Sequence, residues 1–254
     1  MNMRLPIRVG IPVVVAAIAA VLSISPAAQG PAGVRRTPEG KPDLSGVWQS
    51  GGVSLYGDQG RAGAPTGPAG APPPRREPLS YQPWAAAKQK QLTAVDDPTA
   101  QCLLAGIPRI TSMPMPFEIV QTPKKVVILY ESFHAFRIIP IDDKLKHPDD
   151  VTPTWMGDSV ARWDGDTLVV DVIGFNDKTW LGGVGTIHTE ALHVVERFTP
   201  NADRTIAYSA TVEDPKALTR AWVTGVTLRV PKDARVEEYE CIENNQDPAH
   251  MRKP

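Results

Sequence analysis

The chain has 254 residues, of which 42% are hydrophobic and 22% are charged, and its formal net charge is −1. This length and apolar content are enough for one sizeable core, so we expect a single globular domain. The near-neutral balance of charge excludes the basic surface that a nucleic-acid-binding domain presents to its partner.

The first 28 residues have the order of a secretory signal peptide. Arg4 and Arg8 precede an apolar run over residues 11–22, and small residues follow that run. The run is too short to span a bilayer comfortably, so we expect cleavage at the end of residues 1–28 and export, to a bacterial periplasm. An uncleaved anchor is the alternative, because Pro26 lies close to the cut. Cleavage would leave no stable membrane span.

A short motif at the start of the mature chain indicates the fold. Residues 29–45 are a linker, and Gly46-Val47-Trp48 follows it. This motif resembles the G-x-W that opens the first strand of lipocalins and related calycin barrels, where the tryptophan closes one end of the barrel. The resemblance implies a single β-barrel domain over residues 46–254. Residues 163–170 and 190–198 also resemble an uncharacterised family of exported bacterial proteins, which implies no mechanism.

A long segment near the N-terminus has the composition of a chain without a core. Residues 51–83 are rich in Gly, Pro and Ala, and cannot bury enough apolar surface to offset the entropy of ordering. We predict an extended Pro/Gly-rich insertion laid across the outside of the sheet. The one short helix predicted is Trp84–Leu92, because Pro83 precedes it and strong helix formers fill it.

Short β-rich runs, bounded by Pro, Asp and Asn turns, fill the rest of the chain. With the strand at Val47 they make about ten strands: Glu118–Gln121, Val126–Glu131, Ala135–Ile141, Ser159–Trp163, Asp166–Ile173, Glu190–Phe198, Arg204–Val212, Ala221–Val230 and Val236–Ile242. Hairpin-connected strands with one helix predict a mainly β protein, either an antiparallel barrel or a sandwich. We favour the lipocalin-like, or calycin-like, barrel.

The clearest hairpin signal is Asp164-Gly165 between two β-rich runs. If these two residues form the loop, Asp158 lies directly opposite Asp171. Two carboxylates on one face repel, so the fold must solvate them, supply a cation or hold one proton between them. Strand 166–173 is apolar on both faces, which leaves Asp171 little access to water. Asp171 is therefore a candidate catalytic residue, and Asp158 a candidate ligand contact.

The chain has two cysteines, Cys102 and Cys241. In an oxidising compartment, an isolated pair separated by a long loop indicates a disulfide, which stabilises by about 3–5 kcal/mol through the unfolded state. The competing interpretation is a free catalytic thiol. Neither cysteine lies in a C-x-x-C motif or beside a histidine, so we predict the disulfide.

Glu131 and Arg137 are six residues apart, so in one continuous strand their side chains would point to the same face. One interpretation is a buried ion pair that fixes the carboxyl or carbonyl group of a ligand, which makes Glu131 a candidate catalytic carboxylate and Arg137 a candidate ligand contact. The alternative is a salt bridge at the rim, which contributes about 0–1 kcal/mol.

Residues 188–197 hold two of the five histidines. In a strand, His188 and Glu190 point to one face and His193 to the other. A carboxylate orients an imidazole and raises its pKa, so His188 and Glu190 are candidates for acid–base catalysis, and a solvated His188 is the alternative. His193 is a candidate ligand contact. The spacing matches neither His-x-His nor His-Glu-x-x-His, so no metal site is predicted.

Aromatic residues flank the central hairpin. Trp155 and Trp180 lie in loops beside its strands, where aromatic faces often line the mouth of a pocket, so both are candidate ligand contacts. Burial in the core is the alternative for each. No nucleophile elbow, phosphate loop or dinucleotide motif is present, which disfavours serine hydrolysis and an organic cofactor.

Three functions are compatible with these patterns. The first is an exported barrel that encloses a small apolar or aromatic ligand. The second is an acid–base enzyme of the lyase, isomerase or hydratase type in the same barrel, without a cofactor. The third is a structural envelope protein. A metal-dependent barrel enzyme that uses His188 and Glu190 is a further alternative. The sequence does not separate binder from enzyme, and gives no oligomeric state.

Overall fold

The computed structural model describes residues 33–50, 78–233, 235–243 and 245. Nine strands form a nearly closed antiparallel barrel: β1 (Gly46–Ser50), β2 (Phe117–Gln121), β3 (Lys125–Tyr130), β4 (Phe136–Pro140), β5 (Asp158–Asp164), β6 (Thr167–Ile173), β7 (His193–Pro200), β8 (Ile206–Glu213) and β9 (Trp222–Arg229). One α-helix, α1 (Pro83–Gln89), and four 3₁₀ turns accompany them, at Ala94–Asp96, Pro98–Gln101, Arg109–Ser112 and Ser132–His134. The predicted mainly β barrel with one short helix is confirmed. The predicted signal peptide and residues 51–77 of the predicted insertion lie outside the described residues.

The barrel is built from two meanders of consecutive strands. Its order is β4-β3-β2-β1-β9-β8-β7-β6-β5, so β1 to β4 form one meander and β5 to β9 the other. The meanders meet where β1 pairs with β9 and where β4 lies beside β5, through one parallel bridge between Ile141 and Ala161. Because the ring has an odd number of strands, alternating directions cannot continue through the closure. The closing pair is therefore parallel.

Alternate side chains of each strand fill the barrel interior, as the two-residue period of a strand requires. One row crosses five strands in the order Ala161, Val170, Glu196, Ala210 and Thr224. The two alanines leave space in this row, and the long side chain of Glu196 occupies the interior beside them. The interior otherwise consists mainly of apolar residues, among them Phe117, Ile128, Val194, Phe198 and Leu228.

Strand β6 is covered on both faces, as its sequence predicts. Inward-facing Leu168 and Val170 are buried, and so is Val169, which points the other way. A second, smaller apolar cluster joins the helix to the loops, where Ala85 of α1 packs with Trp180, Ile187 and Ala217. Within the described residues, no helix is long and apolar enough to cross a lipid bilayer.

The predicted disulfide is confirmed, since Cys102 and Cys241 are bonded across 139 residues. It joins the segment after β9 to the loop that precedes β2. The side-chain amide of Asn245 donates a hydrogen bond to the Ala100 carbonyl next to this bond, at 3.1 Å. The described residues after β9 are therefore covalently attached to the barrel, although they add no strand to it.

Two sequence predictions about the strands are wrong. Residues 236–242 do not form a strand, and β9 instead has β8 on one side and β1 on the other, which leaves no free edge beside it. The register of the β5–β6 hairpin also differs, because Asp164 pairs with Thr167 and the loop consists of Gly165 and Asp166. Gly165 has φ of 58°, and glycine at the first loop position is typical of type II′ turns.

Candidate functional site

A chain of carboxylates and imidazoles lies on the outer face of the barrel. In order its members are Asp158, His147, Asp171, His193 and Glu213, and we refer to these five residues as the outer relay. The two ring nitrogens of His147 contact Asp158 Oδ1 at 2.6 Å and Asp171 Oδ1 at 2.9 Å. His193 Nε2 contacts Asp171 Oδ2 at 2.8 Å, and His193 Nδ1 lies 3.5 Å from Glu213 Oε2. One carboxylate, that of Asp171, therefore holds two imidazoles.

The register of the strands explains this arrangement. The predicted pairing of Asp158 with Asp171 is wrong, because Asp158 pairs with Ile173 and Asp171 pairs with Val160. Both carboxylates stay on the outer face, but they are diagonal neighbours with room between them. His147, from the loop between β4 and β5, fills that room. The fold thus supplies a group that carries positive charge when protonated, which is one of the three ways to relieve the repulsion.

The electrostatics of the relay favour a charged pair at its centre. The hydrogen bond from His193 holds the pKa of Asp171 below its ordinary value, despite partial burial. The same hydrogen bond raises the pKa of His193 above its ordinary value. A carboxylate that raises the pKa of an imidazole in this way also orients its ring, which is the arrangement of an acid–base histidine.

The relay is open to solvent at its two ends. The side chains of Asp158 and Glu213 are 37% and 57% exposed, and that of His193 is 35% exposed, whereas His147 and Asp171 in the middle are 11% and 20% exposed. Asp171 fixes His193 through Nε2, so Nδ1 is the ring nitrogen that faces the open end. An imidazole oriented in this way by a carboxylate can take a proton at its other nitrogen.

A second polar cluster lies inside the barrel. The Arg137 guanidinium donates from Nη2 to Glu196 Oε2 at 2.6 Å and to Ser159 Oγ at 2.8 Å, and the Tyr208 hydroxyl donates to Glu196 Oε1 at 2.8 Å. Both charged side chains are almost completely buried. Burial alone would lower the pKa of Arg137, but the Glu196 carboxylate raises it above its ordinary value. Burial raises the pKa of Tyr208, and the Glu196 carboxylate adds to that shift.

This inner cluster replaces the predicted pair of Glu131 and Arg137. The chain turns at residues 131–135, so the two side chains do not stay on one face, and the Glu131 carboxylate instead accepts a hydrogen bond from the backbone N–H of Glu237 at 2.9 Å. Arg137 has two further polar atoms, Nε and Nη1, that are buried and have no hydrogen-bond partner among the described residues, and the same holds for Thr224 Oγ1. A buried donor without a partner is costly, so these atoms are where a bound polar group would be accommodated.

His188 and Glu190 do not form the predicted acid–base pair. His188 is buried, with Nδ1 near the Thr189 carbonyl at 3.0 Å and Nε2 near Thr179 Oγ1 at 2.7 Å, whereas Glu190 is exposed. Burial lowers the pKa of His188, which is the opposite of the expected direction. The adjacent Thr189 is fixed by two hydrogen bonds to the buried Asp214 carboxylate. Among its described contacts, His188 thus serves to order the loop before β7.

The structure brings three of the predicted site residues together and separates the rest. Asp158, Asp171 and His193 meet in the outer relay, while Arg137 is inside the barrel. Trp180 is buried in the smaller apolar cluster, and Trp155 is half-buried with the Lys178 ammonium 6.0 Å from its ring centre. Asp171 thus lies on the outer face of the barrel, apart from the Arg137 cluster inside it.

Sequence reasoning missed five residues of the two clusters, namely His147, Ser159, Glu196, Tyr208 and Glu213, and two of these left the clearest signal. Glu196 lies between Val194 and Phe198 on the inward face of β7, and Tyr208 lies between Ile206 and Ala210 on the inward face of β8. The alternation therefore marks both as buried and polar. His147 is in an irregular loop, and Glu213 is at a strand end, where no period identifies a partner. In the described part of the chain, no group of three or more His, Cys, Asp or Glu side chains is arranged to hold a metal ion.

Comparisons with protein families, with curated proteins and with solved structures found no match to this chain. The two clusters and their chemistry are therefore the basis for inferring a function.

Proposed function

We propose that the protein catalyses proton transfer on a small molecule, as a cofactor-independent enzyme of the lyase, isomerase or hydratase type, with His193 as the acid–base group. The observation that carries this proposal is the pair of hydrogen bonds that the Asp171 carboxylate accepts from His147 and His193, at 2.9 and 2.8 Å. Asp171 fixes the orientation of the His193 ring and stabilises the protonated form, as a carboxylate does for a catalytic histidine.

The roles of the other relay residues follow from their places in the chain of contacts. With Nε2–H directed to Asp171, neutral His193 has its Nδ1 lone pair available to remove a proton from a substrate. His147 touches Asp171 and Asp158 but not the open end beside Glu213, so it is a positioning residue. Glu213, at 3.5 Å from Nδ1, is near enough to contact a substrate that approaches His193.

The test is proton exchange, which can be followed without identifying the product of the reaction. We expect the protein to accelerate the exchange of α-protons for deuterium in one class within a panel of small carbonyl compounds and hydroxy acids, measured by proton NMR in D₂O. The variants His193→Gln and Asp171→Asn should lower this rate by about 10²–10⁴-fold, the usual contribution of general acid–base catalysis. The rate of the wild-type protein should rise as pH rises through the raised pKa of His193, because only the neutral imidazole accepts a proton.

Matched substitutions outside the relay serve as controls. Asp164→Asn removes an exposed carboxylate that pairs with Arg197, and His134→Gln removes an exposed histidine. Both should retain the exchange rate. Asp171→Asn should also move the inflection of the pH profile to lower pH in any residual activity, which a merely structural role would not do. Equal rates in the relay variants and the wild-type protein, or no exchange above buffer with any compound, would refute the proposal.

A second candidate function is the enclosure of a small ligand in the barrel. It is supported by the Nε and Nη1 atoms of Arg137, which are buried and lack a hydrogen-bond partner in the described part of the chain. Glu196 already neutralises this arginine, so a second anion would bring an uncompensated charge into the interior. The ligand class is therefore neutral, with a carbonyl or hydroxyl oxygen on an apolar body. Native mass spectrometry of the purified protein should show such a molecule as a noncovalent adduct that is lost on denaturation, and a bare protein would count against this candidate.

Export and a relationship to lipocalins are also part of this proposal. The leader-like order of residues 1–28 supports export, and a disulfide is typical of exported proteins. The G-x-W motif at the start of β1 supports the relationship, since Trp48 is buried and its indole N–H donates to the Leu44 carbonyl at 2.8 Å.

A further inference from the structure

We propose that a groove at one end of the barrel binds a small organic monoanion, such as a carboxylic acid with a short apolar body, through Arg204. This site is separate from the outer relay and from the inner cluster. The groove has a volume of about 230 Å³ and lies between the segment before β1, the turn between β7 and β8, and Val230 after β9. Pockets for drug-sized ligands usually measure about 300–1,000 Å³, so the ligand is smaller than these.

The charges that line the groove favour an anion. Arg35 and Arg204 are its two cations, and Asp43 is its one carboxylate. Asp43 lies 3.6 Å from Arg35 Nη2 and accepts a hydrogen bond from the Ser45 N–H, while Arg35 donates to the Ser45 carbonyl at 2.9 Å. Asp43 and Arg35 therefore form an ion pair with each other, and each also hydrogen-bonds to the backbone of Ser45. Arg204 makes no ion pair or side-chain hydrogen bond with the described residues, so its guanidinium is the free cation of the groove.

The backbone of the turn supports a role for Arg204 beyond structure. The Asn201 N–H donates to the Thr205 carbonyl at 2.8 Å, and the Arg204 N–H donates to the Asn201 carbonyl. This places Arg204 in the left-handed region, with φ of 61°, where glycine or asparagine is the favoured residue. The turn alone would be more stable with glycine, so the structure of the turn does not account for the arginine. Binding an anion in the adjacent groove does account for it.

The rest of the groove selects for a ligand with an apolar part. Val34, Val47 and Val230 line it together with Trp48. A carboxylate that accepts hydrogen bonds from the Arg204 guanidinium would place its hydrocarbon part among these residues, which removes apolar surface from water. An inorganic anion would gain the interaction with the Arg204 guanidinium but not the burial of apolar surface. A carboxylic acid with a compact hydrocarbon or aromatic body is therefore the better ligand.

The experiment compares an anion with its neutral analogue in the full chain. Fluorine NMR should show saturable binding of 4-fluorobenzoate and at least tenfold weaker binding of 4-fluorobenzamide. Arg204→Gly should weaken benzoate binding at least tenfold and leave the thermal midpoint unchanged or higher, because glycine relieves the left-handed conformation. Arg162→Gln, which removes an arginine on β5, serves as the matched control for net charge and should bind benzoate as the wild-type protein does.

The outcomes separate the proposal from its alternatives. Equal binding of benzoate and benzamide would overturn the choice of an anion. Equal loss in Arg204→Gly and Arg162→Gln would show attraction by net charge only, and would overturn the site. No saturable binding to the wild-type protein would overturn it as well. None of these results depends on the exchange activity of the outer relay, so the two proposals fail independently.

Discussion

Replacement of Arg137 by methionine should lower the free energy of unfolding by about 3–5 kcal/mol, because it leaves the Glu196 carboxylate buried in the barrel without its cation. The Tyr208 hydroxyl would remain as one donor to that carboxylate, which is not enough to replace a guanidinium. Urea denaturation measures the effect as a lower midpoint at an unchanged slope.

The double variant Arg137→Met/Glu196→Gln should recover most of that loss. Glutamine removes the buried charge and keeps a side-chain oxygen that can accept from Tyr208, and a buried ion pair replaced as a whole is often nearly neutral for stability. Arg162→Met, on β5, is the control and should change the free energy of unfolding by less than about 0.5 kcal/mol. A loss below about 1 kcal/mol in the single variant would mean that Glu196 is not held in a dry interior.

Loss of the disulfide should have an effect of similar size. The bond between Cys102 and Cys241 closes a loop of 139 residues in the unfolded chain, and removal of such a constraint costs about 3–5 kcal/mol in the chain-entropy account. Reduction should therefore lower the midpoint of urea denaturation. The double variant Cys102→Ala/Cys241→Ala should match the reduced wild-type protein and should not respond to reductant.

A chemical count of thiols checks the same bond directly. The unfolded but unreduced protein should contain no free thiol, and reduction should release two. Two free thiols before reduction would contradict the disulfide, and an unchanged midpoint after reduction would contradict its contribution to stability.

The alternation of apolar residues was enough to predict most of the barrel. Strands β2 to β9 correspond to predicted strands, with ends that differ by only a few residues, because each has one face buried in a common core. The failed prediction, Val236–Ile242, has hydrophobic residues at Val236, Tyr239, Cys241 and Ile242, and Cys241 is in the disulfide. This spacing is not that of a strand, so burial on one face could not stabilise it.

The error in the β5–β6 register shows a limit of turn chemistry as a signal. Asp164-Gly165 correctly marked the hairpin, but the dipeptide does not say whether glycine takes the first or the second loop position. A shift by one residue in the loop changes the partner of Asp158 from Asp171 to Ile173 and leaves both carboxylates on the same face. The alternation of side chains along the strands therefore predicted that Asp158 and Asp171 share a face of the sheet. It did not predict which residue pairs with Asp158.

The two clusters differ in how far the sequence revealed them. Parity predicts that His193 and Glu196 point to opposite faces, which is the case. It cannot predict that Arg137, 59 residues earlier in the chain, meets Glu196 across the barrel, because this contact depends on how the sheet closes. His147 reaches Asp171 from an irregular loop, and such a contact is fixed by the tertiary structure alone.

The thin closure of the barrel shows what holds its two halves together. Two residue pairs join β1 to β9, and one bridge joins β4 to β5, whereas the other neighbouring strands pair over three to eight residues. Strand pairing across the two seams therefore contributes few backbone hydrogen bonds. The shared apolar core and the buried ion pair of Arg137 on β4 with Glu196 on β7 cross between the halves, so side-chain packing and this ion pair, more than backbone pairing, keep the barrel closed.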